Sequence, residues 1–177
     1  MNRTLYGEKE MAEALVGLAG AIVAAHPLEP ALIGIRRGGM VLGDRLAEMI
    51  GRNSGRPPVQ GVIDINLYRD DWTRARALPR VGRTEISFSL DDRRVILVDD
   101  VLFTGRTARA ALEALAAFGR PARIELAVLV DRGHREMPIQ ADHVSFRVPT
   151  TLSQRVNVHF RGQEGRTADA VVLEEPQ

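Results

Sequence analysis

Apolar residues along this chain fall into two alternating rhythms. Between Glu8 and Ala25, Met11, Leu15, Leu18, Ile22 and Ala25 recur at helical spacing, and His26-Pro27 stops the pattern. Ala31–Ile35 (ALIGI) is short and wholly apolar, so it predicts a buried strand entering the glycine loop RRGG. From Met40 to Ile50 the period is helical again, with Leu42, Leu46 and Met49/Ile50 on one side. VQGVIDINLY predicts a strand, RDDWTRARALPRVGRTE a long polar excursion, and EISFSL a hairpin return. RRVILVDD is the strongest strand pattern of the chain. The helix after it, about Arg106 to Phe118, turns Ala108, Ala111/Leu112 and Leu115 inward, and Gly119 and Pro121 end it. RIELAVLVDR is one more buried strand, and QRVNVHF and DAVVLEE flank a turn-rich RGQEGRTA as the last two.

Strands alternating with helices predict an α/β fold, a mostly parallel sheet flanked by helices on both faces. In such sheets ligands sit beyond the carboxyl ends of the strands, where the strand order reverses. Three polar loops leave strand carboxyl ends, RRGG, DDVLFTGRT and DRGHRE, and they are expected to converge on one pocket.

Composition narrows the picture. A chain of 177 residues, 45% hydrophobic and without repeats or linkers, fits a single domain over residues 1–177. Lys plus Arg is 24 against 23 Asp plus Glu, so the net charge of +1 excludes a global pull on nucleic acid and leaves only local basic patches. Lys9 is the only lysine. Arginine suits two-pronged phosphate contacts, though a GC-rich genome gives the same bias. The absence of Cys excludes disulfides, thiolate catalysis and Cys-based zinc sites. MNRTLYGEKE lacks the apolar run of a signal peptide, and no run nears a membrane span, so a cytoplasmic protein with no membrane partner is expected. His26, His143 and His159 show no metal-ligand spacing.

The chemistry concentrates in one stretch. Val95, Ile96, Leu97 and Val98 run into Asp99 and Asp100; Val101, Leu102 and Phe103 lead to Thr104 and Gly105; Arg106 and Thr107 open a helix. Adjacent carboxylates repel, so their burial is costly unless a cation or hydroxyls meet them. Gly105 lets backbone approach a ligand, the first helical N–H groups favour an anion, and Thr104 and Thr107 add hydroxyls. The acids can accept hydrogen bonds from sugar hydroxyls, each worth roughly 1.5–3 kcal/mol. Acid pair plus phosphate cradle describes a ribose 5-phosphate reader. A bare Mg²⁺ site or a strand end capped by Asp are the alternatives. A P-loop is excluded because no Gly-Lys pair exists, and G-x-G-x-x-G is missing.

VILVDDVLFTGRT resembles the phosphoribosyl-pyrophosphate (PRPP) motif of type I phosphoribosyltransferases. DINLYRDDW and LAVLVDRGHREMPIQADHV resemble the pyrimidine operon attenuator proteins, bifunctional uracil phosphoribosyltransferases, and the likeness covers nearly the whole chain. The resemblance implies the type I phosphoribosyltransferase fold, with a flexible hairpin loop at about 67–85 and a small hood at about 131–150. It implies that uracil and PRPP give UMP and pyrophosphate, with Mg²⁺ as cofactor. Asp99 and Asp100 then hold the ribose hydroxyls, and Thr104 to Thr107 the 5-phosphate. Arg36, Arg37, Gly38, Gly39 and Arg69 meet pyrophosphate, and Asp70 and Asp71 orient it or touch Mg²⁺ through water, with no direct protein ligand to the metal. Asp131 and Arg132 belong to the base side, while His134 is expected at the surface. One departure lies in the pyrophosphate loop: many relatives have Thr-Arg-Gly where this chain reads Arg37-Gly38-Gly39.

The family also implies a second role, a UMP-responsive regulator that binds pyrimidine-operon leader mRNA. Arg135 and Arg147 are the candidate RNA contacts. Relatives carry Lys-Asn before Ile-Pro-Thr, whereas this chain reads Phe146-Arg147 before Val148-Pro149-Thr150, and ALVGLAGAIV replaces polar residues of the first helix. An enzyme without RNA binding, or a regulator with little catalysis, therefore stays open. A purine phosphoribosyltransferase needs an aromatic platform and a selecting lysine, which Lys9 alone hardly supplies. A homo-oligomer, dimer or higher, is expected.

Overall fold

The computed structural model describes residues 2–26, 30–68 and 83–176. In chain order the elements are β1 (Asn2–Tyr6), α1 (Glu8–Ala25), β2 (Ala31–Ile35), α2 (Gly38–Ser54) and β3 (Gln60–Ile63), followed by a 3-10 turn at Asn66–Tyr68. Then come β4 (Arg94–Leu102), α3 (Arg106–Leu115) running into a 3-10 turn at Ala116–Phe118, β5 (Arg123–Asp131), β6 (His143–Arg147), β7 (Arg155–His159) and β8 (Ala170–Glu174).

Five strands form one sheet in the order β3-β2-β4-β5-β6, and every neighbouring pair is parallel. β2 and the middle stretches of β4 (Val95–Val98) and β5 (Leu126–Val130) are apolar because both faces are covered. Along β4 the residues alternate: Ile96 and Val98 join a cluster with Leu15, Ile22, Leu42 and Leu46 of α1 and α2, while Val95 and Leu97 join Ala111 and Leu115 of α3 on the other face. From β2 the chain passes through α2 outward to β3, then returns as β4 on β2's other side. The two connections diverge there and leave a crevice outside the carboxyl ends of β2 and β4.

A second sheet, β1-β8-β7, is antiparallel. Its Val156, Val171 and Leu173 share a core with α1 and α2. The sequence pattern gave no sign of β1, whose NRTLY owes its extended form to pairing with β8. The segment expected as hood, 131–150, contributes His143–Arg147 as the edge strand of the parallel sheet. HVSFR alternates in polarity but is partly covered on both faces: Val144 packs toward the α3 side, Phe146 toward the α1 side, stacked on Tyr6 at 3.8 Å between ring centroids.

Other boundaries also moved. The β4 strand continues past the acidic pair to Leu102. The stretch read as one strand, VQGVIDINLY, ends as β3 at Ile63, and EISFSL returns only as one antiparallel bridge, Val62 to Glu85. No described helix is long and apolar enough to cross a membrane. At the amino ends of β5 and β6, His26 and His143 meet on one carboxylate, Glu125, a convergence that the spacing of the histidines does not betray.

Candidate active site

The crevice holds a cavity of about 430 Å³ lined by Arg36 and Arg37 after β2, Asp64, Ile65 and Asn66 after β3, Asp99, Asp100 and Val101 on β4, and Thr107 on α3. Two of the three expected loops converge here. The third, Asp131–Glu136, does not line this cavity. It borders a second one of about 450 Å³ with Gln140, Arg147 and Pro149. The two cavities flank the ends of β4 and β5, where Leu102 lies opposite Asp131.

The glycines of RRGG bring two elements together. A Cβ on Gly38 would sit 2.2 Å from Asp100 Oδ2, and one on Gly39 would sit 2.2 Å from the Val98 carbonyl oxygen. Only bare backbone lets the first turn of α2, the positive end of a helix dipole, lie against the acidic strand end.

Asp99 is buried and Asp100 half-buried. Asp99 Oδ1 accepts the Asp100 N–H at 3.0 Å, and Asp100 Oδ1 accepts the Val101 N–H at 2.9 Å. Burial above all, and then the neighbouring Asp100 charge, pushes the Asp99 carboxyl well above the usual range. Burial raises Asp100 as well, against the hydrogen bonds that lower it. Such a pair is poised to accept hydrogen bonds from hydroxyl donors or to face a cation.

Opposite it, Arg36 Nη2 donates to the Arg83 carbonyl at 2.6 Å and to Glu85 Oε1 at 3.2 Å. Its Nε is buried and has no hydrogen-bond partner among the described residues. An unmet donor on a cavity wall fits an anionic ligand. Arg37 is exposed. The sequence reading passed over Asp64, which is buried and accepts the Asn66 N–H at 2.8 Å. An acid inside the apolar run VIDI was the available signal.

Gly105 opens α3 at φ +88°, a left-handed conformation that glycine tolerates. Thr107 faces the cavity, whereas Arg106 pairs with Glu136 at 2.6 Å. Val95, Ile96, Leu97 and Val98 lie in the core at 0–1% exposure, where they carry the acidic pair and do not face the cavity. Arg69, Asp70, Asp71 and Arg80 lie outside the described residues.

The remaining arginines fall into distinct settings. Arg132 is buried, its guanidinium 4.0 Å over the Phe103 ring, donating to Thr150 Oγ1 and the Thr151 carbonyl. It braces Phe103 against residues 150–151 and, beside Asp131, lines the second cavity. Arg135 spends its nitrogens on the carbonyls of Ile139, Phe103 and Gly133 and on Asp131 at 2.5 Å, so it is a loop latch and no free RNA contact. Burial acts to raise the Asp131 carboxyl, but Arg135, the Gly133 N–H and Arg147 together hold it below the usual range. Arg147 keeps 76% of its side chain exposed. His134 is half-buried, with Nε2 2.7 Å from the Thr150 carbonyl and its ring edge-on to Phe103.

The phosphoribosyl transferase domain family matches residues 4–161. A bifunctional protein PyrR of Desulfosudis oleivorans is 53% identical over 165 residues, 92% of this chain and 90% of the relative. The chain belongs to the phosphoribosyltransferase family, among the PyrR proteins. The PyrR of Thermus thermophilus is 49% identical across 91% of this chain and 90% of its own, and that of Syntrophobacter fumaroxidans 44% across 98% and 94%. A hypoxanthine phosphoribosyltransferase of Trypanosoma cruzi superposes with a TM-score of 0.73 at 20% identity, covering 99% of this chain and 97% of that one. At that identity it bears on the fold alone, which is the type I phosphoribosyltransferase fold expected from the PRPP motif.

Proposed function

We propose that this PyrR-type phosphoribosyltransferase converts uracil and PRPP to UMP and pyrophosphate, and that UMP in the same pocket governs its binding to leader RNA of pyrimidine genes. The observation that carries the reading is the meeting of Asp99 and Asp100 with Arg36 and Arg37 across one crevice at the strand-order reversal. The acids accept the ribose hydroxyls. Residues Thr104 to Thr107 take the 5-phosphate on the first N–H groups of α3 and the Thr107 hydroxyl. Arg36, through its unmet Nε, and the backbone of residues 36–39 take the pyrophosphate.

As the bond at the anomeric carbon breaks, positive charge develops on the sugar beneath the two carboxylates while negative charge gathers on the leaving group beside the arginines. Opposed fixed charges of this kind lower the barrier by electrostatics and positioning, with no covalent nucleophile. Asp64, Asp99 and Asp100 offer hard oxygen donors of the type that suits Mg²⁺. When bound with PRPP, Mg²⁺ supplies charge neutralisation of the departing pyrophosphate. Uracil belongs on the second cavity, whose backbone groups and Gln140 can meet its few polar edges. The protein works in the cytoplasm as a homo-oligomer of this one domain, and Arg147 carries the RNA contact.

Radiolabelled uracil with PRPP and Mg²⁺, run beside guanine and hypoxanthine, tests the enzymatic half. UMP formation alone is expected, and transfer to a purine in preference to uracil would overturn the reading.

A further inference from the structure

At the amino ends of the parallel strands, away from the crevice, three side chains from three elements converge. His26 caps the carboxyl end of α1, Glu125 is the third residue of β5, and His143 opens β6. Both imidazoles set Nε2 on the same carboxylate oxygen, Glu125 Oε2, at 2.7 Å from His26 and 3.0 Å from His143. Their side chains are 2%, 6% and 10% exposed for His26, Glu125 and His143, so the cluster is nearly dry. Burial alone would raise the Glu125 carboxyl, but His143, His26 and Arg123 outweigh that and hold it ionised. Phosphoribosyl transfer makes no use of any of the three.

We propose that His26, Glu125 and His143 form a site for one borderline divalent transition-metal ion, Zn²⁺ or Co²⁺, that fastens α1 to the base of the sheet. Two imidazole nitrogens and a carboxylate oxygen are a zinc-type donor set with one position left for water, and they disfavour Mg²⁺ and Ca²⁺, which prefer oxygen alone. The three ligand atoms already lie within 4.8 Å of one another. Around a tetrahedral ion with bonds of about 2.0–2.2 Å, neighbouring ligand atoms stand roughly 3.3–3.5 Å apart. The imidazoles therefore need to draw back from Glu125 by roughly 0.3–0.8 Å.

Two arginines stand at the rim. Arg123 Nε is 2.6 Å from Glu125 Oε1, and Arg94 Nη1 is 3.4 Å from His26 Nδ1. Arginine only donates, so Nδ1 of His26 now accepts and Nε2 carries the proton toward Glu125. On metal binding, Nε2 of His26 and Nε2 of His143, which also donates to Glu125 Oε2, each give their proton up to solvent and turn their lone pair to the ion, while each Nδ1 takes a proton from solvent; both imidazoles stay neutral. Arg94 must then turn away, which its exposed position permits. Arg123 is itself 59% exposed and can stay on Oε1.

The test uses full-length protein stripped with a chelator and titrated with Co²⁺ or Zn²⁺ in excess Mg²⁺. We expect one Co²⁺ per chain with the visible bands of a four-coordinate site, a one-to-one Zn²⁺ heat signal, and a rise in Tm. His143→Gln and Glu125→Gln should each weaken Zn²⁺ binding by about tenfold or more, with UMP formation in Mg²⁺ at the wild-type level. Absence of the Co²⁺ bands from the wild-type protein overturns the proposal, whether or not the variants fold. So does Zn²⁺ binding that persists undiminished in both variants, which would place the metal on the carboxylates of the crevice.

Discussion

Asp99 carries the cost of an acid buried beside another acid. Its carboxyl titrates above the usual range because it is buried beside Asp100. The folded protein therefore holds that proton more tightly than the unfolded chain. Stability is lost as pH rises from the ordinary carboxylate value through the raised one. Asp99→Asn removes this loss, so thermal melts should show the variant more stable than wild type near about pH 8. The difference should shrink on acidification. On the proposed site, the same variant should lose uracil turnover by about a hundredfold or more, since the amide keeps one acceptor oxygen but not the negative charge placed at the sugar. Gly38→Ala tests the neighbouring contact: its Cβ would meet Asp100 Oδ2 at 2.2 Å. A displaced acid should lower kcat by up to about a hundredfold with the fold retained, read by steady-state kinetics beside circular dichroism.

At the scale of elements, the start of α3 and the latch behind it shape the proposed phosphate cradle. Gly105→Ala forces a side chain into a left-handed backbone, at about 1–2 kcal/mol, and brings its Cβ within 3.1 Å of Met137 Cβ. A lower Tm and a raised KM for PRPP are expected. Arg135→Ala unlocks residues 131–139 from Phe103 and should cost about 2–3 kcal/mol in denaturant unfolding. The central elements were legible from sequence because their signals are local: α1 spans Glu8–Ala25 as its apolar spacing predicts, and ALIGI is β2. The acidic pair was legible because TGRT follows it; two carboxylates at a strand end alone read first as a structural cap. What escaped was set by distant partners. β1 needs β8, β6 needs the edge of β5, and the bonds of Arg135 reach the carbonyl of Phe103, 32 positions away. Arg132 likewise reads as a loop cation until Phe103 lies beneath it.

Across the whole molecule, a net charge of +1 leaves RNA affinity to single exposed cations. Arg147→Ala should weaken leader-RNA binding and reduce the slope of log affinity against log salt by about one. Arg135→Ala should leave that slope alone, because its guanidinium is turned inward. Filter binding over a salt series, with and without UMP, separates the two. The paired cavities have a wider consequence. Asp99, Asp100 and Arg36 border the cavity on one side of the β4 end, Asp131 and Arg132 border the one proposed for the base, and Phe103, just past β4, is clamped by Arg132 and Arg135. Transplanting residues 131–150 from a family member of different appetite, together with its own residue at 103, should retune which nucleobase is accepted and leave the sugar-phosphate grip as it was.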